Sequence, residues 1–314
     1  MIILARNAQT VALEAKPVIK KRRKQWNLFF LALPFMIMVF MFSYVPICGW
    51  IISFYEYRTG VPLFENEFVG FKYFKLFFTD KQVLRVIKNT LIFSGIGYAL
   101  APLPMVFAIL LNEIKSTRFR KIAQTITTLP NFISWVIVYA LAFALFSTDG
   151  VVNEVLKMFG SDKVTNLLTN KDIVYLFQTI ISQWKGLGWG SIIYIAAIAG
   201  IDQELYEAAA IDGAGRFGSA IHITLPGLMP TFITLLILSI SNLINTGFQQ
   251  YFVFKNSVVY DKLEVLDLYI YKQGLQIFDY SYSTAVGMIK SVISIVMLTI
   301  ANIVAKRVRG NSIF

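Results

Sequence analysis

A set of polar and aromatic residues interrupts the long apolar stretches of this sequence, and their side chains are suited to binding a solute. They are Trp184, Lys185, Trp189, Asn242, Asn245, Gln249 and Lys290. Amide groups both donate and accept hydrogen bonds, as sugar hydroxyls do, and an indole ring can stack on a sugar ring. The lysines would attract a negatively charged group. We therefore predict a pathway for an oligosaccharide, and the lysines favour an acidic one, such as a uronate-containing oligosaccharide.

The glycines between the two tryptophans allow two interpretations. Gly186, Gly188 and Gly190 stand at alternate positions. Glycine weakens a helix, and broken membrane helices commonly surround a solute site. Small residues also let two helices approach closely. The sequence leaves a solute site and close packing equally open.

The amides and lysines have alternative roles as well. Asn242, Asn245 and Gln249 would share one face of a helix that continued to residue 249, where they suit either a solute or bonds between helices. Lys185 and Lys290 lie in stretches with almost no acidic residue. That leaves three explanations for each lysine: a water-filled cavity, an anionic solute, or a side chain that reaches the membrane edge.

Patterns for catalysis or nucleotide binding are weak in this sequence. Gly213 to Gly218 fits G-x-G-x-x-G, but it follows a predicted helix instead of a strand, so it predicts a turn. His222 is the only histidine, with no metal-ligand spacing and no Ser–acid pair near it. No Gly-Lys-Ser or Gly-Lys-Thr occurs. We therefore predict no enzyme activity, metal site or nucleotide site in this chain.

Residues 202–230 form a polar island between two apolar stretches. Its start is rich in strong helix formers, and Gly213 can end a helix in the left-handed conformation. A run of alanines there has almost no side chain, so another protein could approach the backbone closely. The residues predicted to make this contact are Glu207, Ala208, Ala209, Asp212 and Gly213.

This island resembles the EAA loop of the permease subunits of ATP-driven (ABC) importers. That family's pattern is Glu-Ala-Ala, three residues, Gly, nine residues, Ile, any residue, then Leu-Pro. Glu207-Ala208-Ala209, Gly213, Ile223 and Leu225-Pro226 fit it without a mismatch. The segments 184–197 and 282–287 further resemble the carbohydrate branch of the family, which contains maltose-type permeases and polysaccharide permeases related to LplB.

The resemblance implies an all-α integral membrane protein with the type I ABC importer permease fold and six transmembrane helices. It also implies partners: a second similar permease, an extracytoplasmic solute-binding protein, and two ATPase subunits that hold ATP and Mg. The polar island would couple the permease to an ATPase subunit.

Composition supports a membrane protein. The chain of 314 residues is 56% hydrophobic and 15% charged, whereas about a quarter of an ordinary soluble chain is charged. Lipid offers the backbone no hydrogen-bond partners, so each long apolar stretch is expected to be a helix. We predict membrane spans at about 26–54, 86–112, 123–147, 173–201, 223–249 and 283–305.

The distribution of charge predicts the orientation. The net charge is +11, and Lys20 to Lys24 form a basic cluster directly before the first span. The segments then assigned to the cytoplasm carry 15 Lys and Arg against 6 Asp and Glu, which favours contact with anionic lipid over nucleic acid. We predict a bacterial inner-membrane protein with both termini cytoplasmic, a basic tail at 1–25, and a six-span domain at 26–314 with a coupling loop at about 202–222.

Two other classes of function are less well supported. An ion-coupled secondary transporter of a small polar solute needs titratable acids in its spans, and none is convincing here. A membrane-embedded enzyme or sensor scaffold would need an acid/base cluster or a metal set. The leading prediction is one permease half of an ATP-driven sugar importer.

Overall fold

The computed structural model describes residues 26–160 and 164–309, with side chains described for 29–160 and 164–307. The predicted tail at 1–25, with its basic cluster, lies outside the described residues. The chain divides into two compact units, Met1–Trp50 and Ile51–Phe314.

The first unit contains α1 (Trp26–Val39) and α2 (Val45–Cys48), which a π-helical turn at Phe40–Tyr44 joins. Pro46 accounts for the turn, because in a regular α-helix its ring would clash with the carbonyl of Phe42. The described side chains are mostly apolar and exposed on all sides. Such a helix is suited to lipid or to a partner protein.

A 3₁₀ turn at Gly49–Phe54 leads into the second unit, whose described residues are also mainly helical. Its α-helices are α3 (Lys72–Thr79), α4 (Lys81–Ala99), α5 (Leu103–Asn112), α6 (Thr117–Thr128), α7 (Trp135–Phe146), α8 (Val151–Met158), α9 (Val174–Ala199), α10 (Gln203–Ile211), α11 (Arg216–Ser219), α12 (Leu225–Ile240), α13 (Gln249–Phe254), α14 (Tyr260–Leu263), α15 (Leu266–Tyr271) and α16 (Tyr280–Arg309). Further 3₁₀ turns lie at Leu63–Glu65 and Leu129–Phe132, and π turns at Ala220–Thr224 and Lys272–Gln276. An isolated antiparallel bridge pairs Tyr55 with Phe68.

The described helices agree with six membrane spans. Five segments are long and apolar enough to cross a bilayer: Phe29–Phe54, Lys81–Asn112, Trp135–Met158, Arg216–Ile240 and Tyr280–Arg307. The pair α9 and α10, bent by 72°, gives the sixth candidate. At 1.5 Å per residue, the 26 residues of α9 reach about 39 Å, which exceeds the hydrocarbon thickness of about 30 Å.

The predicted continuous helix over 123–147 is wrong, because residues 129–134 separate α6 from α7. Pro130 cannot donate a backbone hydrogen bond and clashes with a regular helix. Ser134 then restarts the helix, since its Oγ accepts a hydrogen bond from the backbone nitrogen of Ile137 at 3.4 Å. We call residues 129–134 the span 3 break.

The predicted helix over 223–249 is wrong at its C-terminal end. α12 stops at Ile240, and residues 241–248 form turns before α13 begins. Gly247, with φ of 73°, has the left-handed backbone that glycine adopts without steric cost. We call residues 241–248 the span 5 break.

A π turn also precedes α12, at Ala220–Thr224. Pro226 follows this turn at the same spacing at which Pro46 follows the turn in the first unit. In both places the widened turn contains the carbonyl that the proline ring would otherwise meet. The two prolines therefore shape their helices without ending them.

An apolar core joins α5, α9 and α12. Met105, Tyr194, Ile198 and Leu228 are buried together in this core. Pro104 of α5 lies beside Gly190 of α9, and Asn112 lines the same cavity as Ala199 and Gln203. The helices α5 and α9 therefore run in the same direction, and their C-terminal ends meet at one end of the unit, beside α10. We call this end, which contains Asn112, Ala199 and α10, the loop end.

The last helix also runs toward the loop end. Ala301 and Ala305 of α16 pack against Ile233 and Ile237 of α12. Earlier in α16, Ser294 contacts Asn245, which follows α12. The two helices are therefore antiparallel, and the C-terminus of α16 lies near the start of α12.

The glycines of α9 do not break the helix, which continues through Gly186, Gly188 and Gly190. The interpretation of this segment as a broken membrane helix is therefore wrong. Gly188 is buried against the end of α6, where a methyl group would overlap the carbonyl of Thr127 and lie 2.6 Å from the amide nitrogen of Thr128. Close helix packing is the role of this glycine.

The two neighbouring glycines provide a matched test of this packing. Gly188→Ala is expected to destabilise the protein by about 1–3 kcal/mol, because the methyl group meets backbone that cannot rotate away. Gly186→Ala is the control, since nothing lies within 4 Å of a methyl group at that position. Thermal unfolding in mild detergent measures both. Equal melting temperatures for the two variants would contradict the packing role.

Candidate functional site

The predicted coupling loop is a short exposed helix with defined ends. α9 ends at Gly200, and Asp202 starts α10 because its Oδ1 accepts a hydrogen bond from the backbone nitrogen of Glu204 at 3.0 Å. At the other end, Gly213 adopts a φ of 81°. The amide of Ala214 donates to the carbonyl of Ala209 at 2.8 Å, and this glycine-dependent pattern closes the helix.

The residues predicted to make the partner contact all lie on this helix or its closing turn. Glu207, Ala208, Asp212 and Gly213 are exposed, and Ala209 is half-buried. Apolar side chains near them are also exposed: Leu205 by 53%, Ile211 by 87% and Phe217 by 81%. An exposed apolar surface of this kind on a short helix indicates a protein partner.

Two side-chain contacts fix the loop to neighbouring spans. The hydroxyl of Tyr206 lies 2.9 Å from that of Thr224, at the start of the fifth span. Nε of Arg216 lies 3.0 Å from a carboxylate oxygen of Glu113, directly after α5. These contacts join α10 to the fifth span and α11 to the end of the second span. The sequence prediction missed Tyr206 and Glu113 as anchoring residues, because their partners are distant in the chain.

Lys185 binds the span 3 break. Its Nζ donates to the backbone carbonyl oxygens of Pro130 at 3.0 Å and Asn131 at 2.7 Å, and lies 5.5 Å from the ring centre of Trp135. Carbonyls at the end of a helix lack partners in their own helix, and an ammonium group satisfies them. The charge of Lys185 thus has a partner inside the protein.

Trp189 meets the same break. Four residues after Lys185, it shares the same face of α9, and its ring packs edge-to-face on Phe132 at 5.6 Å. Trp189 is 52% exposed and Trp184 is 46% exposed. Their place in a solute pathway stays a prediction.

The span 5 break carries the predicted amides, but not on one helical face. Because α12 ends at Ile240, the shared face predicted for Asn242, Asn245 and Gln249 does not exist. The turn instead brings two of them together: Nδ2 of Asn245 lies 3.2 Å from Oδ1 of Asn242 and 3.4 Å from Oγ of Ser294. Gln249 begins α13, and all three amides are exposed.

Asp267 of α15 holds the span 5 break against α16. Its Oδ2 accepts a hydrogen bond from the backbone nitrogen of Gly247 at 2.9 Å, and its Oδ1 pairs with Nζ of Lys290. The expectation that Lys290 has no acidic partner is therefore wrong. The partner comes from the segment between the fifth and sixth spans, outside the apolar stretches.

Side chains of α4 donate hydrogen bonds to further backbone carbonyls at the C-terminal end of the fifth span. Oγ of Ser94 donates to the carbonyl of Leu243 at 2.6 Å, and the hydroxyl of Tyr98 donates to that of Ser239 at 2.7 Å. Non-helical backbone at membrane depth requires such internal partners.

Both breaks lie beside the middle of an unbroken helix. Lys185 is eleven residues into α9, and Lys290 is ten residues into α16. At 1.5 Å per residue, the Cα atoms of both lysines are about 15–17 Å from the start of their helices. Broken helices at this depth, with exposed amides and aromatic rings, are typical of solute sites in membrane transporters.

A buried carboxylate anchors the segment that supplies Asp267. Glu264 is fully buried and receives hydrogen bonds from Tyr260 at 2.7 Å and Arg85 at 2.9 Å, with Lys272 at 3.2 Å. Burial raises the pKa of the Glu264 carboxyl, but the hydrogen bonds from Tyr260 and Gln82 and the charge of Lys272 outweigh burial, so its pKa lies below the usual value. Sequence patterns did not identify this cluster, because Arg85 is 179 residues from Glu264 in the chain.

Residues 100–310 match the family described as "Binding-protein-dependent transport system inner membrane component". The chain belongs to this family. Its fold is that of a type I ABC importer permease, as the sequence predicted, and the ion-coupled alternative is not supported.

Two curated relatives and one solved structure extend this result. The chain is 38% identical to protein LplB of Bacillus subtilis (strain 168), over 93% of this chain and 92% of that protein. It is 37% identical to the polygalacturonan/rhamnogalacturonan transport system permease protein YteP of the same strain, over 98% of each. A chain of a bacterial alginate ABC transporter, solved with its alginate pentasaccharide-bound periplasmic protein, superposes with a TM-score of 0.83 at 34% identity, covering 92% of this permease and 97% of that chain.

The pairing of Lys290 with Asp267 can be tested by charge removal from both sides. Lys290→Met leaves the Asp267 carboxylate without its counter-ion, at a cost on the order of 3 kcal/mol, and uptake is expected to fall strongly. Adding Asp267→Asn removes the unpaired charge while an amide oxygen can still accept the hydrogen bond of Gly247. We expect the double variant to recover much of the uptake.

Uptake by cells or binding-protein-stimulated ATPase activity measures this recovery. A double variant as inactive as Lys290→Met alone would show that the lysine acts on the solute and not on Asp267.

Proposed function

We propose that this chain is one of two permease subunits of an ATP-driven importer of acidic oligosaccharides in the bacterial inner membrane. Its partners would be a second, similar permease, two ATPase subunits that hold ATP and Mg, and an extracytoplasmic solute-binding protein. The loop end and the C-terminus would face the cytoplasm, because Lys115, Arg118, Lys306 and Arg307 are near that end or lead to it. The basic cluster at Lys20 to Lys24 predicts the same side for the N-terminus.

The observation that carries the proposal is the geometry of α10. A short helix, exposed on its Glu207-Ala208 side and closed by Gly213, fits a groove on an ATPase subunit. Ala208 allows close seating, and Glu207 can pair with a basic group at the rim of the groove.

Coupling follows from the anchors of α10. When ATP binding moves the groove, α10 moves with it. The Tyr206–Thr224 contact and the bend at Gly200 pass this movement to the fifth and fourth spans. Two rigid arrangements of the spans, open to opposite sides, are then biased by nucleotide on the partner subunit.

The acidic nature of the cargo rests on the relatives and no longer on the lysines. Lys185 and Lys290 both have partners within the chain, so neither charge by itself requires an anion. Two similar proteins are described as transporters of acidic polysaccharides: one of polygalacturonan/rhamnogalacturonan and the other of alginate. Trp184, Trp189, Asn242, Asn245 and Gln249 remain the residues proposed to contact the sugar, because they are exposed at or near the two breaks.

The coupling role predicts a difference between two nearby glycines. Gly213→Val forces a branched side chain into the left-handed conformation, which costs about 1–2 kcal/mol or more, and Glu207→Lys reverses a contact charge. Each is expected to lower uptake and substrate-stimulated ATPase activity at least severalfold while membrane insertion persists. Gly215→Ala is the control, because its φ of −73° and open surroundings accept a methyl group. Normal uptake in both Gly213→Val and Glu207→Lys would overturn the coupling role.

The cargo is tested separately with the assembled transporter. Trigalacturonate and alginate oligosaccharides, presented with the cognate binding protein, are expected to stimulate ATPase activity more than maltotriose does. Stimulation by maltotriose alone would contradict the acidic cargo and leave the importer function intact.

A further inference from the structure

A cavity of about 640 Å³ lies at the loop end, between α5, α6, α9 and α10. Arg120, Lys121 and Gln124 of α6 line one side, and Gln203 and Tyr206 of α10 line another. Leu111, Ile195 and Ile198 form its apolar wall. We call it the Arg120 pocket. It combines a cationic side and an apolar side, as an amphiphilic ligand requires.

The charge in this pocket is unbalanced. No carboxylate is among its lining residues, and within the described part of the chain neither Arg120 nor Lys121 forms an ion pair. Arg120 makes one long hydrogen bond, from Nη1 to Oδ1 of Asn112 at 3.4 Å. By contrast, Arg216 of α11 has its own carboxylate partner, Glu113, at 3.0 Å. Two unpaired cations with amides around them form a site for an anion.

The surface next to the pocket is suited to lipid. On α6, Phe119, Ile122 and Ile126 are exposed by 60%, 55% and 60%. These apolar side chains stand beside Arg120 and Lys121 on the same helix. Acyl chains can therefore lie along α6 while a phosphate enters the pocket, an arrangement that a small soluble anion would not use.

We propose that the Arg120 pocket binds the phosphate headgroup of an anionic phospholipid from the cytoplasmic leaflet, and that the bound lipid supports coupling. The assignment of this pocket to the cytoplasmic leaflet rests on the proposed function. Because Gln203 and Tyr206 belong to α10, a headgroup in the pocket contacts the coupling helix directly. It also lies next to the Tyr206–Thr224 contact that passes movement to the fifth span. An occupied pocket holds α10 in the position that the ATPase subunit grips.

The test uses the complete transporter in nanodiscs made of phosphatidylcholine alone or with added phosphatidylglycerol. Phosphatidylglycerol is expected to raise binding-protein-stimulated ATPase activity in the unchanged transporter. Arg120→Gln with Lys121→Gln is expected to abolish this gain. The affinity for phosphatidylglycerol, measured by native mass spectrometry, should fall about fivefold for each cation removed.

Lys115→Gln with Arg118→Gln is the matched control, because it removes two exposed cations near the start of α6 that do not line the pocket. This variant should keep the lipid response. An equal loss of the lipid response in both double variants would show that the response depends on general surface charge, and it would overturn the proposed site. Lys121→Gln alone, at an exposed position, keeps the test valid if the Arg120 variant folds poorly, and it should lose part of the response.

A control with inorganic phosphate distinguishes a lipid ligand from a small soluble anion. Added to phosphatidylcholine nanodiscs, it is expected to have no effect. Stimulation by phosphate, or no response of the unchanged transporter to phosphatidylglycerol, would overturn the lipid proposal. Binding-protein stimulation in phosphatidylcholine alone would still support the importer function, so the two proposals fail independently.

Discussion

Backbone groups in a membrane protein must find their hydrogen-bond partners inside the protein, because lipid provides none. This chain meets that requirement even where its helices break. The carbonyls of Pro130 and Asn131 receive the ammonium group of Lys185, and the amide of Gly247 donates to Asp267. In each break, a charged side chain from a distant part of the sequence satisfies backbone groups that the helix no longer pairs.

The same constraint explains why charged residues occur in apolar stretches at all. Lys185 is placed by α9, whose close approach to α6 depends on the missing side chain of Gly188. Asp267 is placed by the segment that Glu264 anchors to Gln82 and Arg85 of α4. Each charge thus has a partner and a packing contact that position it, and the amides and indoles beside the breaks are the residues proposed to contact a solute.

The helix α10 at the loop end differs because it is exposed and carries the surface that we propose contacts an ATPase subunit. There the helix α10 is closed by local hydrogen bonds and capped by a polar side chain, so its form does not depend on burial. Its apolar residues Leu205, Ile211 and Phe217 remain exposed. A helix that is stable without burying its own apolar surface can present that surface to another protein, while the Tyr206–Thr224 and Arg216–Glu113 contacts connect it to the spans.

The sequence by itself determined the six apolar segments, the exposed coupling helix with Glu207 and Gly213, and the family. These features depend on local composition and on fixed residues at short spacing, which a linear reading can detect. Tertiary structure alone decided that Gly188 packs against α6, that distant side chains bind the backbone at the breaks in the third and fifth spans, and that Lys290 has an acidic partner. Those outcomes depend on contacts between residues far apart in the chain, such as Gly188 with Thr127 and Lys290 with Asp267, and no local pattern encodes which distant group arrives at a given helix.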